Sequence, residues 1–223
     1  LTPTDSHLVI AIDGPAASGK SSVARALAPR LGFGYINSGL LYRAATWFVL
    51  EQAADPRDAS QVAAALAAAD VVCGLENRES FIRINGINPE PFLRETRINA
   101  AVSAVSSVPE VRSLLTGRLH NFAQVCDVVI EGRDIGSAVF PQTAYKFYID
   151  ASPEVRAQRR AAQEGAGADE IAARDLKDST RRAAPLVIAE DAQVIDSSRL
   201  TIDGVVGEII GRLKLKGLSL PGV

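Results

Sequence analysis

The chain has 223 residues, 47% of them hydrophobic and 22% charged, enough to bury a substantial core, which excludes an intrinsically disordered protein. Twenty-four basic residues face twenty-six acidic ones, a net charge of −2, so no overall field attracts a polyanion and nucleic acid is not an expected partner. No stretch approaches the roughly 20 apolar residues of a membrane helix, and "LTPTDSHLVIAIDG" at the start lacks a charged segment followed by a cleavable apolar one, so a cytoplasmic protein, off the membrane, is expected.

The run "LVIAID" ending at Asp13 is apolar, of strand length and rich in β-branched residues, which predicts a buried parallel strand. "GKSSVARALAPRLG" then repeats apolar residues at helical spacing up to a stop at Gly32. A short strand around Tyr35 and Ile36 leads to Asn37 and Ser38, the N-cap candidates for the helix "GLLYRAATWFVLEQA". An alanine-rich helix near 59–69 gives way to "VVCGL" and "ESFIRINGINPEPFLRE", whose alternation around Asn85-Gly86 predicts small strands joined by a turn, an insertion on the main sheet.

Helical patterns cover about 96–107 and 110–124, followed by the strand "DVVIE" running into "GRD" and by the strand "YKFYID". An arginine-bearing helix from Ser152, a Gly- and Ala-rich loop around 165–168, a helix to about Arg182, a strand at 193–196, the helix "IDGVVGEIIGRLKL" and a frayed tail complete the chain. Strands alternating with helices imply an α/β protein, its parallel sheet covered on both faces and its ligands gathered beyond the carboxyl ends of the strands. With neither repeats nor a low-complexity linker, a single domain with an embedded insertion is expected.

Nineteen of the basic residues are Arg, the side chain whose planar fork grips phosphate or carboxylate through two hydrogen bonds. Cys73 and Cys126 stand outside any C-x-x-C pattern and are expected to be buried thiols, while two histidines, His7 and His120, are too few for a His-centred metal site or triad.

"GPAASGKS" fits G-x-x-x-x-G-K-[ST] between an apolar strand and an amphipathic helix. Gly14, Pro15, Ala16, Ala17, Ser18 and Gly19 are small or turn-forming enough for successive backbone N–H groups to curl round a phosphate, reinforced by the helix N-terminus. Lys20 then supplies a cation for the β and γ phosphates of ATP, and Ser21 occupies the position whose hydroxyl faces Mg2+. Ser22 beside it is an alternative hydroxyl, and Asp13 either reaches the metal through water or caps and orients the loop. Without an N-K-x-D guanine reader or a D-x-x-G switch, a kinase for a small molecule is the simplest class.

Beyond that loop, "IDGPAASGKSS", "NSGLLYRA", "EGRDIGSAVFP", "DASPEVRAQRR" and "RDLKDSTRRAAPL" resemble, in this order, the blocks of the bacterial cytidylate kinases, within the nucleoside monophosphate kinase group. The resemblance covers nearly the whole chain, and the segment at about 58–95 resembles the extra small sheet that distinguishes this family from adenylate kinases. It implies a P-loop NTPase-like α/β fold in one domain, with a monophosphate-binding insertion at about 38–108 and a short lid at about 156–181.

The same resemblance implies that Ser38, Tyr42 and Arg43 lie in the CMP-binding helix region, with Arg43 and Arg133 on the acceptor phosphate, and that Asp134 lies near cytosine with Ser103 and Arg112. Cytosine pairs an amino donor with ring-nitrogen and carbonyl acceptors, which suits an acceptor such as Asp134 or Ser103 and a donor such as Arg112. Arg174, Asp178 and Arg181 recur at about one-turn spacing, a pattern that alone reads as a solvated salt-bridge face. The resemblance assigns Asp178 to the ribose hydroxyl, Arg181 to phosphate, and Arg174 with Arg156 and Arg160 to a lid over ATP. Lys20, Arg133, Arg174 and Arg181 would be the catalytic cations.

The expected reaction is Mg2+-dependent transfer of the γ-phosphoryl group of ATP to CMP or dCMP, in a monomer. Kinases for UMP, AMP or another small acceptor, and a non-catalytic nucleotide-sensing module, are the alternatives at this point.

Overall fold

The computed structural model describes residues 7–164, 176, 180 and 185–218. In chain order its strands are β1 (Val9–Asp13), β2 (Gly34–Asn37), β3 (Val71–Glu76), β4 (Glu79–Ile84), β5 (Val128–Gly132), β6 (Tyr145–Asp150) and β7 (Gln193–Asp196). The helices are α1 (Lys20–Leu31), α2 (Ser38–Glu51), α3 (Ala59–Ala67), α4 (Thr96–Val105), α5 (Pro109–Phe122), α6 (Pro153–Glu164) and α7 (Ile202–Leu215).

The described strands form one sheet in the order β3-β4-β2-β5-β1-β6-β7, with every pairing parallel except β3 with β4. Strand β1 is buried at every position, as a central parallel strand covered on both faces must be. Its alternation divides the core: Ile10 and Ile12 pack with Val23, Leu27 and Ile209 of α1 and α7, whereas Val9 and Ala11 face the cluster holding Leu41, Val102 and Leu115 of α2, α4 and α5. The two helical layers therefore rest on opposite faces, and the carboxyl ends of β1, β2 and β5 open at one edge.

The insertion sits on the main sheet, as expected: β4 pairs in parallel with β2 through Tyr35 and Glu79. One expectation about it needs correction, because the hairpin between β3 and β4 turns at Asn77 and Arg78, with φ of 51° and 64°, rather than at Asn85-Gly86. The latter is a tight turn of its own, closed by reciprocal bonds of 3.0 Å between Ile84 and Ile87. A left-handed Arg is uncommon, and here the Arg78 carbonyl accepts the Tyr35 N–H at 2.7 Å, joining hairpin to sheet. Cys73 and Cys126 are free, as expected, but half-buried rather than buried.

Candidate active site

The phosphate loop occupies the space between β1 and α1 because its small residues let it pass under the neighbouring strand. A Cβ on Gly14 would lie 2.1 Å from the Ile149 carbonyl oxygen of β6, so no side chain fits where the loop leaves β1. Gly19 precedes α1 in a left-handed conformation, φ 91°, and Ala17 adopts φ 59°, a conformation that costs a residue with a Cβ about 1 kcal/mol. Lys20, only 6% exposed, donates from Nζ to the Pro15 carbonyl at 3.1 Å, across its own loop.

Glu131 was not singled out in the sequence, yet it stands at the centre of this arrangement. It is buried near the end of β5, and its Oε1 accepts the Ser21 hydroxyl at 2.9 Å while its backbone carbonyl accepts Ser38 Oγ at 2.7 Å. One residue thus ties the start of α1 to the start of α2. Gly132 makes this approach feasible, since a Cβ there would stand 2.6 Å from Ser38 Oγ. The signal in the sequence was a lone carboxylate closing the apolar run "DVVIE", which reads equally well as a polar strand end.

Asp13, at the end of β1, accepts the N–H groups of Ile135 and Gly136 at 2.8 and 2.7 Å. Both carboxylate oxygens cap the π-helical turn Ile135–Val139 that follows Asp134. The turn that Asp13 caps is therefore this one, on a different loop from the phosphate loop expected from the sequence. Burial raises the Asp13 carboxyl to about 6 against the opposing pull of those two N–H groups.

Tyr42, Arg112 and Asp134 converge from three elements. Arg112 of α5 pairs with Asp134, their side chains 11% and 7% exposed, and its guanidinium lies 5.9 Å from the centre of the Tyr42 ring on α2. Arg43, one position along α2, donates to the Leu93 carbonyl at 2.8 Å and so touches the insertion. Arg133 is half-buried at the end of β5, and Ser103 is half-buried on α4, where its carbonyl accepts Ser106 Oγ at 3.2 Å. Ser22, beside Ser21, is exposed.

Helix α6 lies against the phosphate loop. Arg156 donates to Ala16 and Ala151 carbonyls at 3.3 and 3.2 Å, and Arg159, also missed in the sequence, reaches the Ser18 carbonyl at 3.1 Å. Arg160 is half-buried on the same helix. Arg174, Asp178 and Arg181 lie outside the described residues.

A mostly parallel α/β sheet with a strand–glycine loop–helix cradle at its carboxyl edge defines a P-loop NTPase-like nucleotide-binding protein. The sequence narrows this further. The cytidylate kinase family model matches residues 10–215. Cytidylate kinase of Corynebacterium efficiens is 43% identical over 218 residues, covering 92% of this chain and 94% of the relative. That of Nocardia farcinica is 41% identical over 215 residues (92% and 93%), and that of Rhodococcus opacus is 40% identical over 215 residues (92% and 94%). The chain belongs to the cytidylate kinase family.

Proposed function

We propose that the protein transfers the γ-phosphoryl group of ATP to the 5′-phosphate of CMP or dCMP, giving ADP and the nucleoside diphosphate. The observation that carries this reading is segment 131–134 at the end of β5. Glu131 touches Ser21 of the phosphate loop and Ser38 of α2, and Asp134 holds Arg112 beside Tyr42. Donor and acceptor sites would then share one rigid wall, the arrangement that in-line transfer requires.

An acceptor phosphate oxygen attacks the γ-phosphorus as the bond to the β-bridging oxygen breaks, and ADP carries away that electron pair. No general base is needed, because a phosphate monoester with a second pKa of about 6 is mostly dianionic at neutrality. The protein's work is positioning and charge neutralisation. Lys20 and the loop N–H groups would hold the β and γ phosphates, and Ser38, Arg43 and Arg133 the acceptor phosphate. Asp134 and Arg112, with Ser103, would read the amino group and acceptors of cytosine. Arg156, Arg160, Arg174 and Arg181 would surround the transferred group, with Asp178 on the ribose.

The Ser21 hydroxyl against the buried Glu131 carboxylate is an all-oxygen donor set. That fits Mg2+, which takes one or two protein oxygens and fills its remaining positions with phosphate and water. Bound with ATP, the ion would neutralise charge on the β and γ phosphates. We place the reaction in a single domain acting as a monomer in the cytoplasm, with the monophosphate-binding insertion at about 38–108 and the lid at about 156–181. No helix among the described residues is long and apolar enough to cross a membrane.

A coupled ADP-release assay over CMP, dCMP, UMP and AMP tests the proposal. CMP and dCMP are expected to drive release far faster than UMP or AMP. A preference for UMP or AMP would transfer the activity to another acceptor, and ATP binding without acceptor-dependent release would make the protein a nucleotide sensor.

A further inference from the structure

The outer wall of the phosphate loop is closed by a hydrogen-bonded triangle from three distant segments. Arg159 Nη1 on α6 donates to the Ser18 carbonyl at 3.1 Å and to Ser197 Oγ at 3.0 Å, while its Nη2 donates to the Ser197 carbonyl at 2.8 Å. The Ser197 hydroxyl in turn donates to the same Ser18 carbonyl at 2.9 Å. Ser197 directly follows β7, is 2% exposed, and is fixed by its own N–H bond to the Asp150 carbonyl at 2.8 Å. The groups of the triangle complement one another: the single hydroxyl proton goes to Ser18, a hydroxyl lone pair takes Arg159, and the guanidinium fork spans both Ser197 oxygens.

The consequence for the loop follows from the planar trans peptide, in which C=O and the next N–H point in opposite directions. Holding the Ser18 carbonyl outward by two donors, one of them charged, aims the Gly19 N–H inward. Gly19 stands at φ 91°, where a glycine's backbone has no side chain of its own to hold it. Arg159 lies close behind it, its Nη1 being 3.5 Å from where a Gly19 Cβ would stand. Arg156, one turn earlier, treats the Ala16 carbonyl in the same way at 3.3 Å.

We infer that Arg159, acting with Ser197, is a positioning residue for ATP: it fixes the peptide dipole between Ser18 and Gly19 so that the N–H faces the phosphates before they arrive. It does so through the loop rather than by touching the nucleotide. Lysine cannot replace it, since an ammonium group has no planar fork to span the Ser18 and Ser197 oxygens. The inference rests on ATP being the phosphoryl donor, as proposed above.

The test uses the full chain with Arg159→Gln, Arg159→Lys, Ser197→Ala and the Arg159→Gln/Ser197→Ala double variant. ADP release is measured with ATP varied at saturating CMP and with CMP varied at saturating ATP, alongside thermal unfolding. Arg159→Gln is expected to raise KM for ATP about tenfold, the scale of one lost charge-assisted hydrogen bond, and to leave KM for CMP within about twofold. Arg159→Lys should recover only part of that loss. Ser197→Ala should raise KM for ATP about threefold, and the double variant should be no worse than Arg159→Gln, because both belong to one network. A folded Arg159→Gln protein with unchanged KM for ATP overturns the inference, as do both KM values rising together with a falling melting temperature. If Arg159→Gln does not fold, unchanged KM for ATP in both Ser197→Ala and Arg159→Lys overturns it equally. Absence of CMP-dependent release in the unsubstituted protein would instead sink the proposed function.

Discussion

Arg112 and Asp134, 22 residues apart on α5 and at the end of β5, form an ion pair that is nearly withdrawn from solvent. A pair this dry is vulnerable to losing one member, because the survivor remains buried and uncompensated at a cost of about 3 kcal/mol. Asp134→Ala should therefore lower both stability and cytosine preference, whereas Asp134→Asn keeps an acceptor for Arg112 and isolates the base-reading role. For Asp134→Asn the ratio of kcat/KM for CMP over UMP is expected to fall about tenfold, since cytosine and uracil exchange a donor for an acceptor at the edge being read. An unchanged ratio in a folded protein would remove Asp134 from base recognition.

The bond between Ser21 and Glu131 makes a separate prediction. If that hydroxyl and carboxylate hold Mg2+, Glu131→Gln preserves the bond to Ser21 but removes the negative charge facing the ion. The Mg2+ concentration for half-maximal ADP release should rise about tenfold, as with loss of a supporting metal partner. Ser38 bonds the Glu131 backbone carbonyl rather than its carboxylate and keeps that contact, so KM for CMP should change little. A Mg2+ titration matching that of the unsubstituted protein would show that the carboxylate serves structure alone.

How far such relationships can be read from the chain depends on their range. The helix "IDGVVGEIIGRLKL" and the strand at 193–196 coincide with α7 and β7, because apolar periodicity and caps are local signals. The phosphate loop was legible for the same reason. By contrast, Asp13 and Gly136 are 123 residues apart and meet only because β1 pairs with β5 in the register Asp13 to Gly132. The turn at Asn77-Arg78 was hidden because Arg carries no preference for positive φ, whereas Asn85-Gly86 advertises one. Arg159 was hidden differently. Three arginines crowd α6, and spacing alone does not reveal which of them faces the loop.

Gly132 offers a test that uses packing instead of charge. A methyl group there would press on Ser38 Oγ at 2.6 Å and on Ile135 Cγ1 at 2.7 Å, pushing α2 from the end of β5. Overpacking of this kind costs about 1–3 kcal/mol. Gly132→Ala should lower the melting temperature and raise KM for CMP at least severalfold, because Ser38, Tyr42 and Arg43 all ride on α2. ATP affinity, measured by calorimetry without CMP, should be affected less. Equal weakening of both nucleotides would mean that the displaced element carries the phosphate loop with it.

Asp13 gives the clearest dependence on pH. Its carboxyl is raised by burial from 3.8 to about 6 on folding, so between those values the folded protein holds a proton that the unfolded chain has released. The resulting stabilisation is fully present below about pH 4 and is lost as the pH rises through 6. Asp13→Asn removes this titration, and it also places an amide NH2 against one of the N–H donors of Ile135 and Gly136, so the variant should be less stable at low pH. The decisive quantity is the difference between the two urea midpoints, measured without nucleotide from pH 4 to 7. The unsubstituted protein's advantage over Asp13→Asn should shrink steadily across that range and level off above about pH 7. Parallel curves would assign the titration to another group and leave Asp13 ionised throughout.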